Sequence, residues 1–341
     1  MSDLQIGLIS LGIVLILVVV SLNWWQDWRV RQKMREHFPE ADQDPLMGGA
    51  TVGGGRREPG LALMPEHPET VVADDPTEVD PNCEAVIDIS FSQPVPTDQL
   101  HAAVASIHRV GSKPVRLFAE REGGGHRARL RPGESYVSVQ LAVLLANRGG
   151  PLTDIEWSQL WTIAQSLAER FDGVVEGPDQ TLVTERAKRL DELCASLDAQ
   201  VGLALRLGGT RPVAETAQVL KDAGFLSHGK QLAWMADSGI PRFTILFDGA
   251  HAGEVRSAGV DRIDLLLDLP NSPADAEAFS RMACVGRDLA ARLNAALVDD
   301  QGHPVAEGAD HAIDQQLVDM YSRLEQAGFP AGSERCTKVF S

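Results

Sequence analysis

Apolar and polar positions alternate in "AVIDISF" at 85–91, where Ile87, Ile89 and Phe91 form one apolar row. A period of two predicts a half-buried strand. The pattern then lengthens in "PTDQLHAAVASI", where Leu100, Val104 and Ile107 follow a helical spacing and Pro96 suits a helix start. "KPVRLFAE" and "SYVSVQLAVLLA" return to extended patterns. A long amphipathic helix follows in "GGPLTDIEWSQLWTIAQSLAERF", with Trp157, Leu160, Trp161, Ala164, Leu167, Ala168 and Phe171 on one stripe. "VVEGPDQTLV" reads as a strand, a turn and a second short extended piece, and "ERAKRLDELCASL" as a closing helix.

The order then begins again. "VGLALRL" answers "AVIDISF", and "PVAETAQVLKDAGF" repeats the helix led by proline. "KQLAWMA" answers "KPVRLFA", "RFTILFDG" is a further strand, and "VDRIDLLLDLP" sets Ile263, Leu265 and Leu267 in the place of Leu141, Val143 and Leu145. Pro151 and Pro273, Trp157 and Phe279, and Arg170 and Arg292 share one spacing. This order predicts an α+β fold with two tandem domains, over 84–199 and 200–330. Each has an antiparallel or mixed sheet with helices packed on one face. Residues 331–341 are left as a C-terminal tail.

Ahead of these units, no charged residue stands between Leu4 and Gln26. That length suits a membrane-crossing helix. Trp24, Trp25 and Trp28 follow, then Arg29, Arg31, Lys33 and Arg35. An aromatic belt and a basic flank predict a single-pass anchor over 1–28, with a short outer N-terminal tail and a cytoplasmic remainder. Residues 4–26 and the basic flank would meet membrane lipid. Residues 29–82 combine that flank with a Pro-, Gly- and acid-rich stretch that reads as a flexible tether.

The net charge is −17, from 48 acidic against 31 basic residues, which argues against nucleic acid as a partner. The four cysteines are isolated, so metal-site spacing is absent, and Cys194 and Cys284 read as buried thiols. Asp264 and Asp268 share a strand face and read as solvent-facing acids bracketing Leu266. No phosphate loop, HExxH or CxxC motif is present, and no nucleophile, base and orienting group can be assembled. The chain reads as a non-enzyme without cofactor or metal, built to bind through flat apolar strand faces.

The second unit carries "VLKDAGF", "GVDRIDLLLDLP", "GRDLAARLNAALVDDQGHPV" and "QQLVDMYSRL". In this order they resemble the C-terminal domain of the ZipA family of bacterial cell-division proteins. Ala223, Gly224 and Phe225, then Pro270, then Asp299, Asp300 and Gln301 stand at the matching places. The resemblance implies binding of the C-terminal tail of the tubulin-like protein FtsZ, and linkage of the division ring to the inner membrane at the septum. It points to Leu265 and Leu267 as contacts, with Leu203, Leu205, Trp234, Ile245 and Phe247 as companions. A non-catalytic envelope scaffold for a different protein partner is the alternative. The extra copy at 84–199 has no counterpart in the family.

Overall fold

Antiparallel strand pairing, each ladder covered by amphipathic helices, organises the computed structural model, which describes residues 78–255, 257–305, 308 and 310–341. The first half contains β1 (Glu84–Pro96), α1 (Thr97–Val104), β2 (Arg109–Val110), β3 (Lys113–Arg121), β4 (His126–Arg127) and β5 (Ser135–Leu144). It continues through β6 (Ala146–Asn147), β7 (Gly150–Pro151), α2 (Asp154–Arg170), β8 (Gly173–Glu176) and α3 (Gln180–Leu197). The second half contains β9 (Gln200–Pro212), α4 (Val213–Ala223), β10 (Leu226–His228), β11 (Gln231–Met235), β12 (Pro241–Phe247), β13 (Ala250–His251) and β14 (Gly259–Asp268). It ends with α5 (Ala278–Leu293), β15 (Ala295–Val298), α6 (Asp310–Gln326) and α7 (Glu334–Val339).

The first sheet runs β2-β3-β5-β1-β8, with β4 against β3. The second runs β10-β11-β12-β14-β9-β15, with β13 against β12. Apart from β10, the two share one strand order. By position in the sheet, "RFTILF" on β12 answers "KPVRLFA" on β3, so the pairing of "KQLAWMA" with "KPVRLFA" is displaced by one strand. "TLV" at 181–183 is helical, because the Asp179 side chain accepts from Thr181 N and caps α3.

Helix starts and buried stripes follow from local sequence. Thr153 and Glu156 form a reciprocal capping box at α2, whose buried stripe includes Trp157, Leu160, Ala164 and Leu167. Helix α5 buries Phe279, Met282, Ala283, Gly286, Leu289 and Leu293, a spacing of three and four. Cys194 is buried, whereas Cys284 points out of α5 and is exposed. One continuous hydrophobic cluster runs through both halves.

Polar contacts join the halves. Arg148, between β6 and β7, donates to both oxygens of Asp198 at 2.9 and 2.7 Å and to both oxygens of Asp268 at 2.6 and 2.7 Å. Leu269 N donates to Ala199 O at 3.0 Å. At the C-terminus, α7 buries Cys336 and Val339, and Arg335 reaches Asp80 at 2.6 Å.

The expectation of an anchored chain is corrected here. Among the described residues no helix is long and apolar enough to cross a membrane. Residues 4–26, on which the anchor, the lipid contact and the inner-membrane placement rest, lie outside the described residues, as does the tether up to residue 77. The described residues therefore carry neither a single-pass topology nor a contact with membrane lipid.

Replacing Arg148 by Met leaves two carboxylates facing one another, each partly shielded from water. Breaking such a pair costs about 3 kcal/mol, the low end for buried pairs, because both acids keep some solvent. Lysine at this position recovers only part of the loss, since one ammonium cannot match two bidentate partners. Urea unfolding of the three proteins measures both effects.

Candidate peptide-binding face

The ladder register of the second sheet decides which side chains face the helices. Leu265 on β14 stands opposite Ile245 on β12 and Leu203 on β9, and Leu232 on β11 stands opposite Ile245. Ile263 stands opposite Phe247 and Leu205, and Leu297 on β15 stands opposite Leu205. In an antiparallel sheet, opposed residues share a face. Helix α5 packs on that face. A Cβ built on Gly286 would lie 3.1 Å from Leu297 Cδ1 and 3.8 Å from Leu265 Cδ2.

Six of the seven expected contact residues therefore sit beneath helices. Leu203, Leu205, Ile245, Phe247, Leu265 and Leu267 are all buried. Trp234, the seventh, is half-buried on the same side at the sheet margin. Its ring stacks on Phe243 with centroids 6.0 Å apart and meets Phe225 edge-on at 5.3 Å. Gly224 explains why this corner is so compact. It caps α4 at φ 115°, and a Cβ there would come within 3.1 Å of the Trp234 ring. The structure brings all seven together, but as support for the sheet and not as its outer surface.

The alternate positions form the opposite face. One row crosses the sheet as Leu226, Ala233, Thr244, Leu266 and Gly202. The next contains Leu246, Asp264, Ala204 and Val298. A third contains Arg262, Arg206 and Ala296. None of Ala204, Ala233, Leu246 and Val298 joins the hydrophobic core, although each is buried. The first two rows offer mostly small or aliphatic side chains, and Leu226 is 58% exposed. Sequence alternation contains this face too, but alternation alone does not say which row a helix will cover.

Charges sit within the apolar strip. Asp264 pairs with Arg262 at 2.5 Å. Burial pushes the Asp264 carboxyl above its ordinary value, and the Arg262 guanidinium only partly offsets this. Asp268 shares the face of Leu266 but is tied to Arg148, so it is a structural acid and not a solvent-facing one. Among the described residues no group of three or more acidic, histidine or cysteine side chains could hold a metal ion.

Leu265→Ala should cost about 2–5 kcal/mol, the range for an emptied core position. Leu266→Ala, on the other face of the same strand, should cost about 1 kcal/mol or less. Chemical denaturation of the two variants reads this contrast; equal losses would mean the faces are assigned wrongly.

The family model for the ZipA C-terminal FtsZ-binding domain matches residues 246–316. The match begins at the end of β12, includes β14, α5 and β15, and ends within α6. Among curated proteins, none matches the chain. The expectation of two family domains is thereby corrected to one, since no match falls on 84–199; what the first half shares with the second is a strand order. The matched family is a non-catalytic protein-interaction module. A ZipA C-terminal-like domain is present over residues 246–316.

Proposed function

We propose that the second half of the chain binds the C-terminal tail of FtsZ, on the sheet face turned away from α5. The observation that carries this reading is the match of residues 246–316 to the ZipA C-terminal FtsZ-binding domain. The side chains of that face supply a physical reason. Gly202 is exposed and lacks a side chain, so a peptide can approach the backbone closely there. Leu226 and Leu266 supply apolar area beside it. The seven residues first picked out lie under this surface and hold it flat.

A shallow strip of this kind yields modest affinity. Covering one leucine more fully contributes about 1.5–3 kcal/mol, from which the ordering of a free peptide must be subtracted. Weak contacts suffice for a polymeric partner, because many subunits present the same tail to many copies of the binder. No catalytic constellation is needed.

Titrating the full chain with a fluorescent FtsZ C-terminal peptide tests the reading. Saturable binding is expected, with Leu226→Glu and Leu266→Glu each weakening it about tenfold or more while the fold is retained. No saturable binding by the unaltered chain would overturn the reading. Capture of a different partner on the same face would favour the scaffold alternative.

A further inference from the structure

We propose that Arg206 and Arg262 form a carboxylate-binding end to this face, so that the bound peptide is anchored by an acidic group as well as by apolar contact. The inference rests on the reading that the face binds the FtsZ tail, and it adds which chemical group of the tail is recognised and where.

The register places Arg206 on β9 directly opposite Arg262 on β14. Like charges directly opposed across a ladder destabilise a sheet. Arg262 is steadied by Asp264 at 2.5 Å on the same face. Arg206 has no such partner: among the described residues no hydrogen bond or ion pair reaches its side chain, and it is exposed. It is nevertheless positioned. Its Nη2 lies 3.0 Å from where a Cβ on Gly302 would sit, so the guanidinium rests against the turn after β15. Neither acid of that turn, Asp299 or Asp300, pairs with it. Asp299 Oδ1 instead accepts from Gln301 N at 2.9 Å and His303 N at 2.8 Å. Two further acids near the end of the strip are engaged elsewhere. Asp248 Oδ1 accepts from Arg262 N at 2.9 Å, and Asp261 accepts from Thr210 at 2.6 Å.

A chain of net charge −17 thus keeps two arginines at directly opposed positions of the ladder at one end of an apolar strip, one of them without a counter-ion among the described residues. An incoming carboxylate relieves the repulsion and gains charge-assisted hydrogen bonds. The spacing constrains the ligand. Leu266 and Arg262 are four residues apart on one strand face, about 13 Å at ~3.3 Å per residue. A peptide lying extended along β14 would therefore place its carboxylate about four residues from the apolar side chain covering Leu266. The carboxylate can come from an Asp or Glu side chain or from the terminal carboxyl group.

Arg206→Glu tests this without threatening the fold, since it replaces a repulsive cross-strand pair by an attractive one. The probe is a synthetic FtsZ C-terminal peptide titrated against the full chain. Arg206→Glu should keep or raise the unfolding midpoint, weaken binding about tenfold or more, and flatten the dependence of Kd on salt. Peptides with each acidic residue changed in turn to Lys, and one with an amidated C-terminus, identify the group. The peptide whose carboxylate docks should lose affinity for the unaltered chain. If that group is a side chain, its Lys form should regain affinity for Arg206→Glu. If it is the terminal carboxyl group, amidation should abolish the difference between the two proteins. Binding of Arg206→Glu as tight as that of the unaltered chain would overturn the inference while leaving the FtsZ reading intact. So would a loss of the same size for every peptide, amidated or charge-reversed. Absence of binding by the unaltered chain would remove the FtsZ reading and this inference with it.

Discussion

Helix α5 lies so close to the second sheet that a Cβ on Gly286 would press to 3.1 Å from Leu297 Cδ1 and already touch Leu265 at 3.8 Å. A glycine inside a helix costs about 1 kcal/mol relative to alanine. Here the cost is offset by the contact it permits. Phe279, Met282, Ala283, Leu289 and Leu293 descend with it onto Ile263, Leu265 and their neighbours in one hydrophobic cluster. Once α5 covers that row, the pleat fixes every other assignment. Ala204, Thr244, Leu246, Asp264 and Leu266 must face the other way. The binding proposal, and the arginine pair at the end of the strip, both follow from this one choice of face.

The relation between the two halves is set by a different force. Arg148 closes on two aspartates, one after α3 and one at the end of the central strand β14. The guanidinium fork satisfies both carboxylates at once, a geometry lysine cannot reproduce. Asp268 also accepts from Gln200 at 3.2 Å and from Asn271 at 3.0 Å. Because Asp268 belongs to the same strand as Leu266, the network steadies the proposed surface from its far end. The C-terminal turn adds to this, since Asn271 also donates to Phe340 O at 3.0 Å.

Much of this is legible in the sequence. Alternation locates β1, β5, β9, β12 and β14, and the three-and-four spacing locates α2 with its stripe. What the pattern does not express is which face of a strand a helix will cover. A period of two names two rows and treats them alike, and the leucines of the buried row stand out because they are larger. Gly286 is the available signal, since a small residue on the apolar stripe marks where helix and sheet approach. The extended reading of "TLV" fails for another reason. The apolar run there is too short to separate strand from helix, and the Asp179 cap decides the matter. Cys284 shows the same limit, lying one residue beyond the buried Ala283 and so on the outer side of its helix.

The two sheets show how one strand order carries two different surfaces. On the first, the face away from the helices is closed upon itself. Gln140 donates to Asp88 at 2.8 Å, Ser138 donates to Glu120 at 3.1 Å, and Arg116 pairs with Glu84 at 2.8 Å. The Arg116 guanidinium also lies 4.7 Å from the centroid of Phe118. A peptide docking there would have to break satisfied polar contacts, and exchanging one hydrogen bond for another yields little net free energy. On the second face the corresponding rows are mostly small or aliphatic, with the Arg262–Asp264 pair among them, and Arg206 has no counter-ion among the described residues. A peptide docking there, as proposed, would replace water over aliphatic groups and relieve a repulsion between cations. The difference lies in side chains and not in topology, which is why a shared strand order does not by itself make the first half a second binding domain.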